Sequence, residues 1–117
     1  MKDLKVDEDL MRLISNAPVC VLQFGDESCP PCAALRGKLE RWMKDHPEMA
    51  VRYIPIREFP MLSAQMGIFS VPTILVYIQG KLTARESGYF SLEQLLDRLQ
   101  RTLALLDFPS AIEYNAD

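Results

Sequence analysis

Cys29 and Cys32 stand three positions apart in the stretch Ser28-Cys29-Pro30-Pro31-Cys32, with only proline between them. Two thiols at that spacing can form a structural staple, clip a metal ion or exchange electrons with a foreign disulfide. A staple would close a very small loop, and a reducing compartment opposes it. A structural zinc ion needs four ligands, usually as two such pairs. The other candidates, Cys20, His46 and scattered carboxylates, fall on different elements, so no metal is expected. Two unrelated buried thiols would be a further inert reading. Against these stands a redox couple: a C-x-x-C placed between a strand and a helix in a β-α-β pattern is a redox signal.

The prolines are compatible with a helix that starts at the pair. With Cys29 as N-cap, Pro30 is the first helical residue and Pro31 the second. First-turn amides have no intrahelical partner, so proline is tolerated there and its fixed φ suits the helix. Cys29 then lies at the positive end of the helix dipole, within reach of the free Cys32 amide. Both effects lower a thiol pKa below its free value of about 8.5. Cys32, about one turn on, is more sheltered. That arrangement suits Cys29 as the attacking thiol and Cys32 as the resolving one. Asp26 and Glu27 just before the pair would oppose the thiolate by like charge, and are read as solvated loop acids.

The elements that must hold this pair follow from periodicity. Asp7–Ser15 predicts a helix with Leu10, Leu13 and Ile14 on one face. Val19–Phe24 is a nearly continuous apolar run, as in strands covered on both faces. A second helix is expected from Pro30 to about Asp45, with Leu35, Leu39, Trp42 and Met43 inward. Ala50–Ile56 reads as a strand ended by Pro55, and Arg57–Met66 as a short helix. Ile74–Ile78 is a strand, Gln79-Gly80 a tight turn, and Lys81–Ser87 its hairpin partner. Ser91 caps a last helix carrying Leu92, Leu95, Leu96, Leu99 and Leu103 inward. A weak strand signal lies at Leu4–Val6. The order predicts a parallel sheet with helices on both faces, with the terminal hairpin adding an antiparallel strand. Residues 1–106 are expected to form the domain and residues 107–117 a tail, in which Phe108, Ile112 and Tyr114 could meet the body or a partner.

Composition narrows the function classes. The chain has 117 residues, 49% hydrophobic and 25% charged, which suits one modest core. A net charge of −3 and a pI near 5.1 argue against a nucleic-acid partner. No apolar run approaches the length that crosses a bilayer, and the start of the chain lacks the apolar segment of a secretory signal. A cytoplasmic location is expected. Three cysteines are too few and too odd for a disulfide-stapled secreted scaffold. Cys20 reads as a small buried hydrophobe, His46 as a helix C-terminal cap, Trp42 as part of the core stripe and Gln23 as a satisfied core polar group. Tyr89 and Phe90 suit either a groove wall or the core.

Together, the strand Val19-Cys20-Val21-Leu22-Gln23-Phe24, the SCPPC at a helix start, the Ser70-Val71-Pro72-Thr73 about forty residues later, the hairpin with Gly80 and the Gly88 before the last helix resemble the thioredoxin family over nearly the whole chain. The resemblance implies an α/β three-layer fold, a central mixed β-sheet flanked by helices on both faces. It implies that Cys29 attacks and Cys32 resolves, that Pro72 is cis and faces the pair, and that substrate peptides meet Val71, Pro72 and Gly88. It implies protein disulfides as substrates, no bound cofactor, a thioredoxin reductase-type electron donor, and a monomer or weak dimer. The chain departs from the family where Ser28 replaces tryptophan, Pro30 replaces glycine, and Gln23 replaces a buried aspartate. These departures keep open a second reading, a non-catalytic or redox-sensing interaction module of the same fold.

Overall fold

The computed structural model describes the backbone of residues 1–116 and the side chains of residues 1–106; one helix runs through the expected division at residue 107, and the side chains of Phe108, Ile112 and Tyr114 lie outside what is described. In chain order the elements are β1 (Lys2–Asp3), α1 (Leu10–Asn16), β2 (Val19–Gly25), α2 (Pro30–Met43), β3 (Ala50–Pro55), α3 (Pro60–Gln65), β4 (Thr73–Ile78), β5 (Lys81–Ser87) and α4 (Leu92–Ala116). The five strands form one mixed sheet in the order β1-β3-β2-β4-β5.

Central β2 is buried along its whole length, which explains its unbroken apolar run. Side chains alternate across it. Val19 and Val21 join Leu39 of α2 and Leu92, Leu95, Leu96 and Leu99 of α4 in one core. Cys20, Leu22 and Phe24 join Leu10 and Ile14 of α1 in the other. The same alternation turns Gln23 and Gly25 toward the α2 side. A Cβ at Gly25 would overlap the hydroxyl of Tyr53, the buried β3 side chain beside it. Glycine is therefore needed there for space, since the aromatic ring occupies what a side chain would.

Four elements differ from expectation, one of them α3, which begins at Pro60 after the N-cap Phe59 and leaves Arg57 in the connection before it. The first helix begins at Leu10 because Asp9 is its N-cap, accepting from the Arg12 amide at 3.1 Å. Glu8 is drawn away, accepting from the Lys5 amide and pairing with Arg52 at 2.8 Å. The first strand is Lys2–Asp3, and Leu4–Val6 is not strand. β1 forms by backbone pairing with Arg52 and Tyr53 of β3, so no hydrophobic pattern marks it. Finally, β4 is the strand that runs opposite to its neighbours: β1, β2 and β3 are parallel, β4 is antiparallel to β2, and β5 is antiparallel to β4.

The reversal of β4 has a geometric cause. The six-residue α3 is about 9 Å long, whereas a six-residue strand spans about 20 Å. That helix does not return the chain to the start of β3, so β4 begins at the end where β2 and β3 finish. Thr73 consequently pairs with Phe24, and Ile78 with Val19. The hairpin turn is made by Gln79 (φ 51°) and Gly80 (φ 80°), the two positive φ values of a tight two-residue connection.

Candidate functional site

The loop after β2 and the start of β4 meet at one end of the sheet, and the cysteine pair sits there. Cys29 is the N-cap of α2, with Pro30 and Pro31 in the first turn. Its sulfur accepts a hydrogen bond from the Cys32 amide at 3.2 Å. The two cysteines form a disulfide with Cα atoms 5.3 Å apart. Cys29 is half-buried, whereas Cys32 is wholly buried. The one free cysteine among the described residues is Cys20. Burial pushes its thiol up to about 11, and it lies in the opposite core.

Beneath the pair, Gln23 is fully buried and donates from Nε2 to the Cys32 carbonyl at 2.9 Å. Its Oε1 has no partner. The expectation of a satisfied core amide is thus half corrected: α2 offers an acceptor to this strand position but no donor, since the helix amides here are capped or proline. A buried polar atom without a partner is unusual and costly.

The Val71–Pro72 peptide is cis, and Pro72 is buried. Its carbonyl accepts from the Gly88 amide at 3.0 Å. Pro72 and Gly88 line a cavity of about 240 Å³ with Pro31, Leu35, Tyr89 and Phe90. The structure thus brings Pro72 and Gly88 together with Pro31, which stands between the two cysteines in the chain. Val71 packs half-buried on the opposite core. Tyr89 is fully exposed at the cavity rim, while Phe90 also packs against the α2 and α4 core.

Two expectations at the periphery are met only in part. His46 caps α2 through its backbone and not its ring: its amide donates to the Met43 carbonyl at 2.9 Å, as the Asp45 amide does to Trp42, while the ring stacks on Trp42 at 4.0 Å and lies 3.5 Å from Glu48. Asp26 and Glu27 are not simply solvated. Arg57 places Nε 3.0 Å from Asp26 and Nη1 3.3 Å from Glu27, and Nη2 donates to Ser28 Oγ at 3.2 Å. Sequence reasoning missed Arg57 as part of the site. The signal was in the strand register: Gly25 pairs with Pro55 in parallel strands, so residues 26–28 and 56–58 leave the sheet side by side.

Among the described residues, no three of His, Cys, Asp and Glu are grouped so as to hold a metal ion, and no helix is long and apolar enough to cross a membrane. Chemically, a half-buried cysteine at a helix start, bonded to a wholly buried one, supports thiol–disulfide exchange as the general class of chemistry.

Comparison with known proteins agrees. The family model of the thioredoxin-like domain matches residues 6–103. The chain is 26% identical over 98 residues to a thioredoxin of Alicyclobacillus acidocaldarius, covering 83% of this chain and 93% of that one. It is 26% identical over 102 residues to a thioredoxin of Rickettsia bellii, covering 86% and 94%. Among solved structures, Fasciola hepatica thioredoxin superposes with a TM-score of 0.75 at 25% identity, covering 86% of this chain and 98% of that one. Oxidised Plasmodium falciparum thioredoxin gives 0.75 at 23% identity, covering 85% and 97%. A C-x-x-C disulfide at a helix start, a mixed five-stranded sheet and a family match across most of the chain converge, and the protein belongs to the thioredoxin-like domain family.

Proposed function

We propose that this protein is a dithiol–disulfide oxidoreductase that reduces protein disulfides through Cys29 and Cys32. The Cys29 thiolate attacks one sulfur of a substrate disulfide. The substrate S–S bond breaks, a mixed disulfide forms, and the released substrate sulfur takes up a proton. Cys32 then loses its proton and attacks Cys29 Sγ, which closes the internal disulfide and frees the second substrate thiol. Two electrons pass from the pair to the substrate; one proton comes from Cys32 and the other from solvent, which took the Cys29 proton when the thiolate formed. An external dithiol reductase of thioredoxin reductase type restores the pair, as the reducing cytoplasm would supply. The substrate chain lies along Val71, with Pro72 and Gly88 flooring the groove walled by Tyr89.

The observation that carries the assignment of roles is the contrast in burial: Cys29 is half-buried and accepts the Cys32 amide, while Cys32 is wholly buried. A thiolate that accepts a backbone amide at a helix start is stabilised. The test is reduction of insulin by dithiothreitol. The protein is expected to accelerate precipitation well above the uncatalysed background; a rate equal to background would leave the interaction module as the better reading.

One observation favours that second reading in part. Gln23 occupies the buried position beneath Cys32 and cannot take a proton at neutral pH. Loss of a proton by Cys32 then relies on solvent. A positioned general base contributes about 10²–10⁴-fold. Gln23→Asp is therefore expected to speed resolution of a mixed disulfide by at least about tenfold at neutral pH, as followed by stopped-flow fluorescence. Equal rates for variant and parent would dismiss the missing base as a limitation.

A further inference from the structure

Between Gly25 and Cys29 the chain makes a closed turn, in which the Cys29 amide donates to the Asp26 carbonyl at 3.1 Å. Ser28 Oγ donates to Asp26 Oδ2 at 3.0 Å and accepts from Arg57. The guanidinium, reaching from the β3–α3 connection, thus touches three consecutive side chains, Asp26, Glu27 and Ser28, that end one residue before Cys29. Arg57 is 60% exposed and Glu27 82% exposed, and exposed pairs of this kind add little to stability. Asp26 is different: its side chain is only 14% exposed, and the Arg57 approach to Oδ1 is an ion pair out of line for a hydrogen bond, leaving that oxygen without a donor. A poorly hydrated carboxylate three residues before Cys29 would weigh on its thiolate unless a cation stood against it.

The other charged groups around the pair do not supply that cation. Arg36 of α2 lines the same cavity as Asp26, Glu27 and Arg57, but its guanidinium is paired with Asp3 at 2.9 Å and Glu40 at 3.8 Å and lies over the Tyr53 ring at 4.3 Å. Lys38 faces Glu93 at 3.8 Å. Glu58 adds negative charge beside Arg57, residues 66–72 contain no charged side chain, and His46 lies beyond the far end of α2. We propose that Arg57 is a positioning residue for Cys29: it straps the Asp26–Glu27–Ser28 turn and offsets its carboxylates, so that the attacking thiolate forms without unpaired negative charge beside it.

The inference rests on Cys29 being the attacking thiol. It is tested by the pH dependence of iodoacetamide alkylation of the fully reduced protein, with the modified cysteine identified by mass. The chains compared are the parent, Arg57→Gln, Arg57→Lys, and the triple variant Asp26→Asn, Glu27→Gln, Arg57→Gln. Arg57→Gln is expected to move the alkylation midpoint to higher pH and to slow reaction at pH 6 by about three- to tenfold, the range for loss of one nearby opposite charge. Arg57→Lys keeps most of the parental rate, and the triple variant regains it because the carboxylates are gone. A parental profile for Arg57→Gln overturns the inference, as does a triple variant that stays slow, since a merely mechanical strap would not be rescued by removing charge. A parent that ionises like free cysteine removes the oxidoreductase reading and this inference with it. A parent that ionises at low pH with an unmoved Arg57→Gln removes the inference alone.

Discussion

Mixing the reduced Cys32→Ser variant with a disulfide-bonded protein is expected to leave a lasting mixed disulfide on Cys29. Serine cannot break the bond that Cys29 has formed, and Cys20 cannot substitute, being fully buried in the opposite core with its thiol held well above the ordinary range. Cys29→Ser is expected to form no such adduct and to lower insulin reduction by about a thousandfold or more, toward background, the order lost when a covalent nucleophile is removed. Non-reducing gel electrophoresis and mass spectrometry read both outcomes. The asymmetry is the informative part. The two sulfurs are bonded to one another, yet one is half-buried at a helix cap and the other fully buried in the first turn. Equal trapping by both variants would mean that exposure does not decide which thiol attacks.

Phe24→Ala is expected to cost about 3–5 kcal/mol of folding stability, read from urea denaturation with the disulfide intact. Phe24 has no exposed surface and is among the largest wholly buried side chains of the described residues. It sits next to the last residue of β2, paired with Ile54 in β3 and Thr73 in β4. Its ring fills the α1 side of the sheet, where Leu10, Ile14 and Ile68 converge. Removing it leaves a cavity at the very end of the sheet that carries the cysteine pair. Domains of this size are stable by only about 5–15 kcal/mol, so the variant is expected to lose a large share of its stability. A loss under about 1 kcal/mol would mean that the site end of the core collapses freely around the gap.

Much of this arrangement was legible because its causes are local. A cysteine before two prolines and a second cysteine specify a helix start, and α2 begins at Pro30 with Cys29 as its cap. The leucine spacing after Ser91 marked α4, and the Ser91 hydroxyl accepts from the Gln94 amide at 3.2 Å. The unbroken apolar run of β2 marked a strand covered on both faces, and all seven residues are buried. Each of these signals lies within about one or two turns of chain, where periodicity and capping act.

By itself, then, the sequence determined the elements apart from β1 and the exact starts of α1 and α3, the helix cap that holds Cys29 and the family resemblance. Only the tertiary structure decided which strand reverses, because the direction of β4 depends on how far α3 carries the chain. Only it showed that Gln23 is half-satisfied, that His46 stacks on Trp42, and that Arg57 reaches Asp26, Glu27 and Ser28. Arg57 meets side chains 29 to 31 positions away along the chain, and such a meeting is set by the parallel register of β2 on β3. Local preference carries no information about register across that distance; it comes from burying both faces of the sheet at once.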